Sequence, residues 1–85
     1  MLKVVDLRGQ ECPTPVIRVL REFMALGEGG EIVALIDSEP CVEQIKAFLG
    51  HLPDAEIDAI RESGYYRLRV RRLRRFEWHK PRTPI

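Results

Sequence analysis

Among the residues of this chain, Cys12 is the one best placed to do chemistry. It stands in Cys12-Pro13-Thr14-Pro15, after a short aliphatic segment and before a stretch with helical spacing. A cysteine at a helix start meets unpaired amide N–H groups and the positive end of the helix dipole. Both favour negative charge, so the thiol's pKa falls and the thiolate, the nucleophilic form, is populated near neutral pH. Pro13 suits the first helical position, where its missing N–H costs nothing. Pro13 and Pro15 bias the residues before them, Cys12 and Thr14, away from helical angles. The thiol is then held at the tip of the helix, in a strand-to-helix loop that a partner can reach. Arg8 would assist an anion there and Glu11 would oppose it. The plain alternative is a small buried residue, because free cysteine is often buried.

Cys41 is the second thiol. It falls in the first turn of the second helical stretch, on the same stripe as Ile45 and Phe48, which points it inward. Packed helix axes lie about 8–10 Å apart and a disulfide needs Cα atoms within roughly 7 Å, so a Cys12–Cys41 bridge is expected to require movement. A buried, inert Cys41 is the preferred reading; a resolving thiol is the sharp alternative. Two cysteines are too few for a disulfide scaffold, and in a reducing compartment both are expected as thiols. His51 and His79 stand in no ligand spacing with them, so neither a metal site nor a cofactor is expected.

The elements that position Cys12 follow from pattern. Leu2–Leu7 reads as a strand ending at Gly9. Val16, Ile17, Leu20, Phe23, Met24 and Gly27 recur at three- and four-residue intervals, giving an amphipathic helix that Gly27 ends. Gly29-Gly30 turns the chain into the apolar run Glu31–Ile36, an interior strand beside a parallel neighbour. Asp37-Ser38-Glu39-Pro40 starts the second helix, whose stripe is Cys41, Val42, Ile45, Phe48, Leu49 and Leu52. Ala55–Ile60 and Tyr66–Arg71 alternate about the turn Ser63-Gly64. That turn sets Asp58 opposite Arg69, Glu56 opposite Arg71, Ile57 opposite Val70 and Ala59 opposite Leu68. Charge pairs with charge on one face and apolar with apolar on the other, so two patterns select one register.

The order is therefore β-α-β-α-β-β, an α/β two-layer sandwich: a mixed four-stranded sheet with both helices on one face, its first crossover right-handed. Residues 1–75 form one domain, and the tail 76–85, with two prolines and no period, is expected to be irregular.

At 85 residues the chain has a thin core and little room for an enclosed active site. No apolar run reaches the roughly 20 residues of a membrane span. Asp6 and Arg8 interrupt anything like a signal peptide, so a cytoplasmic monomer is expected. The net charge of +1 hides an asymmetry. Residues 1–60 carry five Lys/Arg against eleven Asp/Glu, and residues 61–85 carry nine against two. Arg67, Arg72, Arg74 and Arg75 head a candidate partner surface. Tyr65, Tyr66, Phe76 and Trp78 could stack on bases, but no RNA motif is present and Asp58 and Glu56 offset Arg69 and Arg71. Direct nucleic-acid binding is not expected, and docking of an acidic protein partner fits better.

The segment Asp6-Leu7-Arg8-Gly9-Gln10-Glu11-Cys12-Pro13-Thr14-Pro15 resembles the signature of the TusA-type, SirA-like sulfur-carrier family, sharing Asp6, Gly9, Cys12, Pro13 and Pro15. The element order resembles that family across roughly residues 2–73, and the Asp37–Pro40 helix start does too. Cys41 is a departure. The resemblance implies that Cys12 accepts sulfane sulfur as a persulfide from a donor of the cysteine desulfurase or rhodanese type. It would pass that sulfur to an acceptor in tRNA thiolation, molybdenum-cofactor maturation or sulfur oxidation. Pro13 and Pro15 would position the cysteine, and Asp6 and Gly9 would shape the strand and loop before it. Such a chain is a sulfurtransferase component and not a self-sufficient enzyme. Two other classes remain open: an RNA- or protein-binding module working through the arginines, and a Cys12/Cys41 redox switch.

Overall fold

The computed structural model describes residues 2–75; the tail 76–85, with Phe76 and Trp78, lies outside the described residues. The order is β1 (Leu2–Asp6), α1 (Thr14–Met24), β2 (Glu31–Ile36), α2 (Glu39–Leu49), β3 (Ala55–Arg61) and β4 (Tyr66–Arg72). The strands form one mixed sheet in the order β1-β2-β4-β3. β1 runs parallel to β2, while β4 is antiparallel to both β2 and β3. The two-layer α/β architecture expected from the sequence is the one observed.

The hairpin has the register that the charge and apolar patterns selected: Glu56 opposite Arg71, Ile57 opposite Val70, Asp58 opposite Arg69 and Ala59 opposite Leu68. Glu62 N–H donates to the Tyr65 carbonyl at 2.8 Å, closing the turn around Ser63 and Gly64. Gly64 has φ +82°, a conformation that a Cβ disfavours.

One face of the sheet packs on the helices. Val5, Ile32, Ala34, Ile36, Leu68 and Val70 meet Val16, Val19 and Phe23 of α1 and Cys41, Val42, Ile45 and Leu49 of α2 in a single core. Among the described residues nothing covers the other face. Its cross-strand rows are Leu2-Glu31-Arg71-Glu56, Val4-Val33-Arg69-Asp58 and Asp6-Leu35-Arg67-Ile60. β2 is an interior strand as expected, yet Val33 and Leu35 lie on this uncovered side.

The helices depart from the sequence reading in rotation and in their ends. α1 buries Pro15, Val16, Val19 and Phe23, whereas Ile17 and Met24 are 52% and 77% exposed. Both stripes obey three- and four-residue spacing, and period alone does not say which lies nearer the sheet. Val19 sits at the centre of the buried arc, with Leu20 half-buried at its margin. In α2 the same correction moves Phe48 outward, while Leu52, expected on the same stripe, lies beyond the helix end at Leu49 and is exposed. α1 stops at Met24 and not at Gly27. The positive φ that turns the chain belongs to Gly29, whose neighbourhood is held to β4 by Gly29 N–H to the Arg72 carbonyl (2.7 Å) and Arg72 N–H to the Gly30 carbonyl (2.9 Å).

Candidate functional site

β1 delivers the chain to a tight loop that carries Cys12. Asp6 closes its first turn: Oδ1 accepts the Arg8 backbone N–H at 3.1 Å and Arg8 Nε at 2.9 Å, and Oδ2 accepts Arg8 Nη2 at 2.8 Å. The hydrogen bonds from the Arg8 side chain and backbone bring the Asp6 carboxyl down to about 2. Arg8 also lies over the Tyr65 ring, 4.8 Å from its centroid. This cation is therefore occupied by Asp6 and Tyr65, in place of the role beside the thiol that its sequence position suggested.

Gly9 follows with φ +83°, and its N–H donates to Asp37 Oδ2 at 2.8 Å. Asp37 lies just past β2, so this bond ties the Cys12 loop to the segment that starts α2. Sequence reasoning gave Asp37 only a helix-start role. Its second task follows from parallel β1 and β2, whose C-terminal ends lie side by side.

Pro13 precedes α1, as its N-terminal flanking residue, and Pro15 occupies the first turn. The sequence had placed Pro13 at the first helical position and Thr14 outside helical angles; Thr14 is instead the first helical residue. The Cys12–Pro13 peptide is cis. Thr14 N–H donates to the Glu11 carbonyl (3.0 Å) and Ile17 N–H to the Pro13 carbonyl (3.1 Å). Prolines 13 and 15 have no N–H, so Val16 supplies the amide of this turn left to face an anion, with the helix dipole behind it.

α2 begins at the same end of the sheet, since both helices follow parallel strands. Cys41 is its third residue and wholly buried, as its place on the apolar stripe implied. Cys12 is half-buried and packs on the core edge. The two cysteines are joined as a disulfide, with Cα atoms 5.6 Å apart. The expectation of a separation needing movement is corrected here. Interaxial spacing describes residues inside two helices, whereas Cys12 precedes α1 in a loop that crosses above the first turn of α2. Gln44, one turn beyond Cys41, places Oε1 3.9 Å from Cys12 Sγ. Turned about its amide, Gln44 would offer N–H donors to a thiolate. Its spacing of three from Cys41 was the signal in the sequence.

A hollow of about 270 Å³ lies beside this loop, lined by Gln10, Thr14, Ile17, Arg18 and Arg21. A larger one, about 340 Å³, lies between the far ends of the helices, lined by Leu20, Phe23, Met24, Leu49, Leu52, Asp54 and Arg72. It holds no nucleophile, and Asp54 and Arg72 are paired with each other at 3.2 Å.

The arginines do not gather into one surface. Arg67 lies on the uncovered sheet face and pairs with Glu62 at 3.0 Å. On that face Arg69 binds Glu31 and lies 3.9 Å from Asp58, and Arg71 binds Glu56 at 3.1 Å. Arg72 turns to the helix side, where Nη1 donates to the Leu26 carbonyl at 2.7 Å and the guanidinium lies 5.6 Å from the Phe23 ring centroid. Arg74 packs beside Gly29, and Arg75 N–H donates to Glu28 Oε1 at 3.2 Å. Among the described residues no group of three or more His, Cys, Asp or Glu could hold a metal ion, and no helix is long and apolar enough to cross a membrane.

Comparison with known proteins agrees with this fold. A family model described as sulfurtransferase TusA matches residues 3–72. A candidate sulfur carrier protein of Methanocaldococcus jannaschii is 36% identical over 47 residues, covering 55% of this chain and 63% of that protein. The match thus spans somewhat less than two thirds of that relative's length. The crystal structure of a SirA-like protein from Desulfitobacterium hafniense superposes with a TM-score of 0.71 at 25% identity, covering 82% of this chain and 95% of the other.

Proposed function

The chain belongs to the TusA sulfurtransferase family, and from that premise we propose that it carries sulfane sulfur as a persulfide on Cys12. The observation that carries the reading is the position of Cys12: half-buried, in a loop pinned by Asp6, Gly9 and Asp37, above the N-terminal ends of two helices. Two positive helix ends favour the thiolate. The thiolate attacks the outer sulfur of a donor's persulfide, and the donor's own thiolate leaves. The charged Cys12 persulfide then meets an acceptor thiolate in the same reaction run outward.

The donor is of the cysteine desulfurase or rhodanese type, and the acceptor serves tRNA thiolation, molybdenum-cofactor maturation or sulfur oxidation. A reducing cytoplasm keeps the carrier thiol available. The chain acts as a monomer, and its partners dock at the Cys12 loop. Asp6, Gly9, Pro13 and Pro15 hold the cysteine in place. The RNA-binding alternative loses support, because Arg67, Arg69, Arg71 and Arg72 each have a carboxylate partner.

Transfer of labelled sulfur tests this reading. The protein is charged by a desulfurase with labelled cysteine while an acceptor thiol protein is present. Label should reach the acceptor from the wild type and not from Cys12→Ser. Equal delivery by Cys12→Ser would refute the role of Cys12.

A further inference from the structure

The carrier reaction uses Cys12 alone and gives Cys41 no task. A cysteine that merely filled core space would need no particular direction, yet Cys41 meets Cys12 with a Cα separation of 5.6 Å, inside the normal range for a disulfide. Cys41 is wholly buried, closed in by the core cluster, while Cys12 is half-buried. An external thiol or disulfide therefore reaches Cys12 first. Cys41 reacts only with what Cys12 carries.

From this pairing we propose that Cys41 is a resolving thiol that discharges the Cys12 persulfide as hydrosulfide. The inference rests on the persulfide reading above. Cys41 Sγ attacks Cys12 Sγ, the inner sulfur, and its proton passes to the outer sulfur of the anionic persulfide. The new bond joins Cys12 Sγ to Cys41 Sγ. The bond that breaks is the one between Cys12 Sγ and the outer sulfur, which takes the electron pair and the Cys41 proton and leaves as hydrosulfide. Cys41 Sγ is oxidised from thiol to disulfide and the outer sulfur is reduced to sulfide, while Cys12 Sγ stays at the disulfide level, so no external oxidant is consumed.

Attack on the outer sulfur instead would lodge an additional atom on Cys41, inside a filled core, so the inner sulfur is the target. Cys41 lies in the first turn of α2, whose N-terminus offsets part of the cost that burial puts on its thiolate. The product is the disulfide of the structure, and a dithiol reductant of the cell restores both thiols. Persulfide left without an acceptor is thereby released as sulfide, and the chain waits in an uncharged, oxidised form until reduced. In a reducing compartment a disulfide of this transient kind is the expected one.

The test loads the freshly reduced chain with inorganic polysulfide, removes the excess anaerobically and follows released sulfide together with intact mass. The wild type should release one sulfide per chain and finish two hydrogens lighter than the reduced protein. Cys41→Ala should keep its sulfur on Cys12, with release slowed by about tenfold or more, since an oriented intramolecular thiol far outpaces an external one. Equal persulfide lifetimes in the two chains would overturn the discharge step and leave the carrier reading intact. So would sulfur mapped to Cys41. Failure of Cys12 to load in either chain would sink the carrier reading and the step with it.

If Cys41→Ala does not fold, an aromatic disulfide probe on the wild type decides. Two equivalents of the aromatic thiol and a loss of two hydrogens support resolution by Cys41. One equivalent with a stable adduct overturns it.

Discussion

Gly9 and Gly64 offer a matched pair of perturbations. Their φ angles are +83° and +82°, and at both positions a Cβ would meet nothing within 4 Å. Replacement by alanine therefore costs only backbone strain. A left-handed conformation costs an L-residue about 1–2 kcal/mol, and the stiffer unfolded chain returns about 0.4–1 kcal/mol. The net loss is about 1 kcal/mol for either Gly9→Ala or Gly64→Ala, a shift of roughly 4–8 °C in Tm for a domain of this size. Function should separate them. Gly9 donates its N–H to Asp37 in the loop that presents Cys12, so relaxing its strain moves the thiol. Gly64 lies in the β3–β4 turn. Urea unfolding with an unchanged m-value should give similar losses for the two. Sulfur loading from a desulfurase should slow about tenfold or more for Gly9→Ala alone, as expected when a reacting group is misplaced. Equal loading by the two variants would refute the claim that this loop positions Cys12.

Three further outcomes follow from the side-chain network. Arg72→Ala removes the partner of Asp54 and of the Leu26 carbonyl; stability should fall by about 1–3 kcal/mol, read by urea unfolding, with sulfur loading of the folded fraction unchanged. Asp6 titrates at about 2 in the fold against 3.8 ordinarily. Because the folded value is the lower one, its stabilisation is present above about 4 and fades as pH falls towards about 2. Carboxyl NMR should place its midpoint near 2, and Asp6→Asn should flatten that part of the acid-unfolding profile. The acid-paired arginines predict weak, non-specific RNA binding, so Arg67→Ala and Arg72→Ala should leave tRNA retention on filters unchanged; a loss of affinity with a reduced salt slope would revive the nucleic-acid reading.

The hairpin was legible in the sequence because two independent constraints, charge against charge and apolar against apolar, agreed on a single register. The crossover order was legible because strand and helix periods differ. The rotation of α1 was not: Ile17 and Met24 satisfy helical spacing as well as Val19 does, and only the sheet beneath chooses between them. The place of Cys12 just before a helix and the inward direction of Cys41 were readable locally. Their meeting was not, because it depends on how a loop before one helix crosses the first turn of another. Asp37 and Gln44 were overlooked for the same reason, since each acts on a residue about thirty positions away. Arg72 was misread as surface because the alternation of β4 sends Arg67, Arg69 and Arg71 to the uncovered face and Arg72, next to Arg71 in the run, towards the helices.

The central claim is that sulfur rides on Cys12. Its most direct test is intact mass followed by peptide mapping, after reduced protein is incubated with a cysteine desulfurase and cysteine and quenched with an alkylating agent. Cys41→Ala, in which the persulfide is retained, should gain one sulfur mapped to Cys12, and Cys12→Ser should gain none. A sulfur gain on Cys12→Ser, or none on the chain that keeps Cys12, would contradict the account.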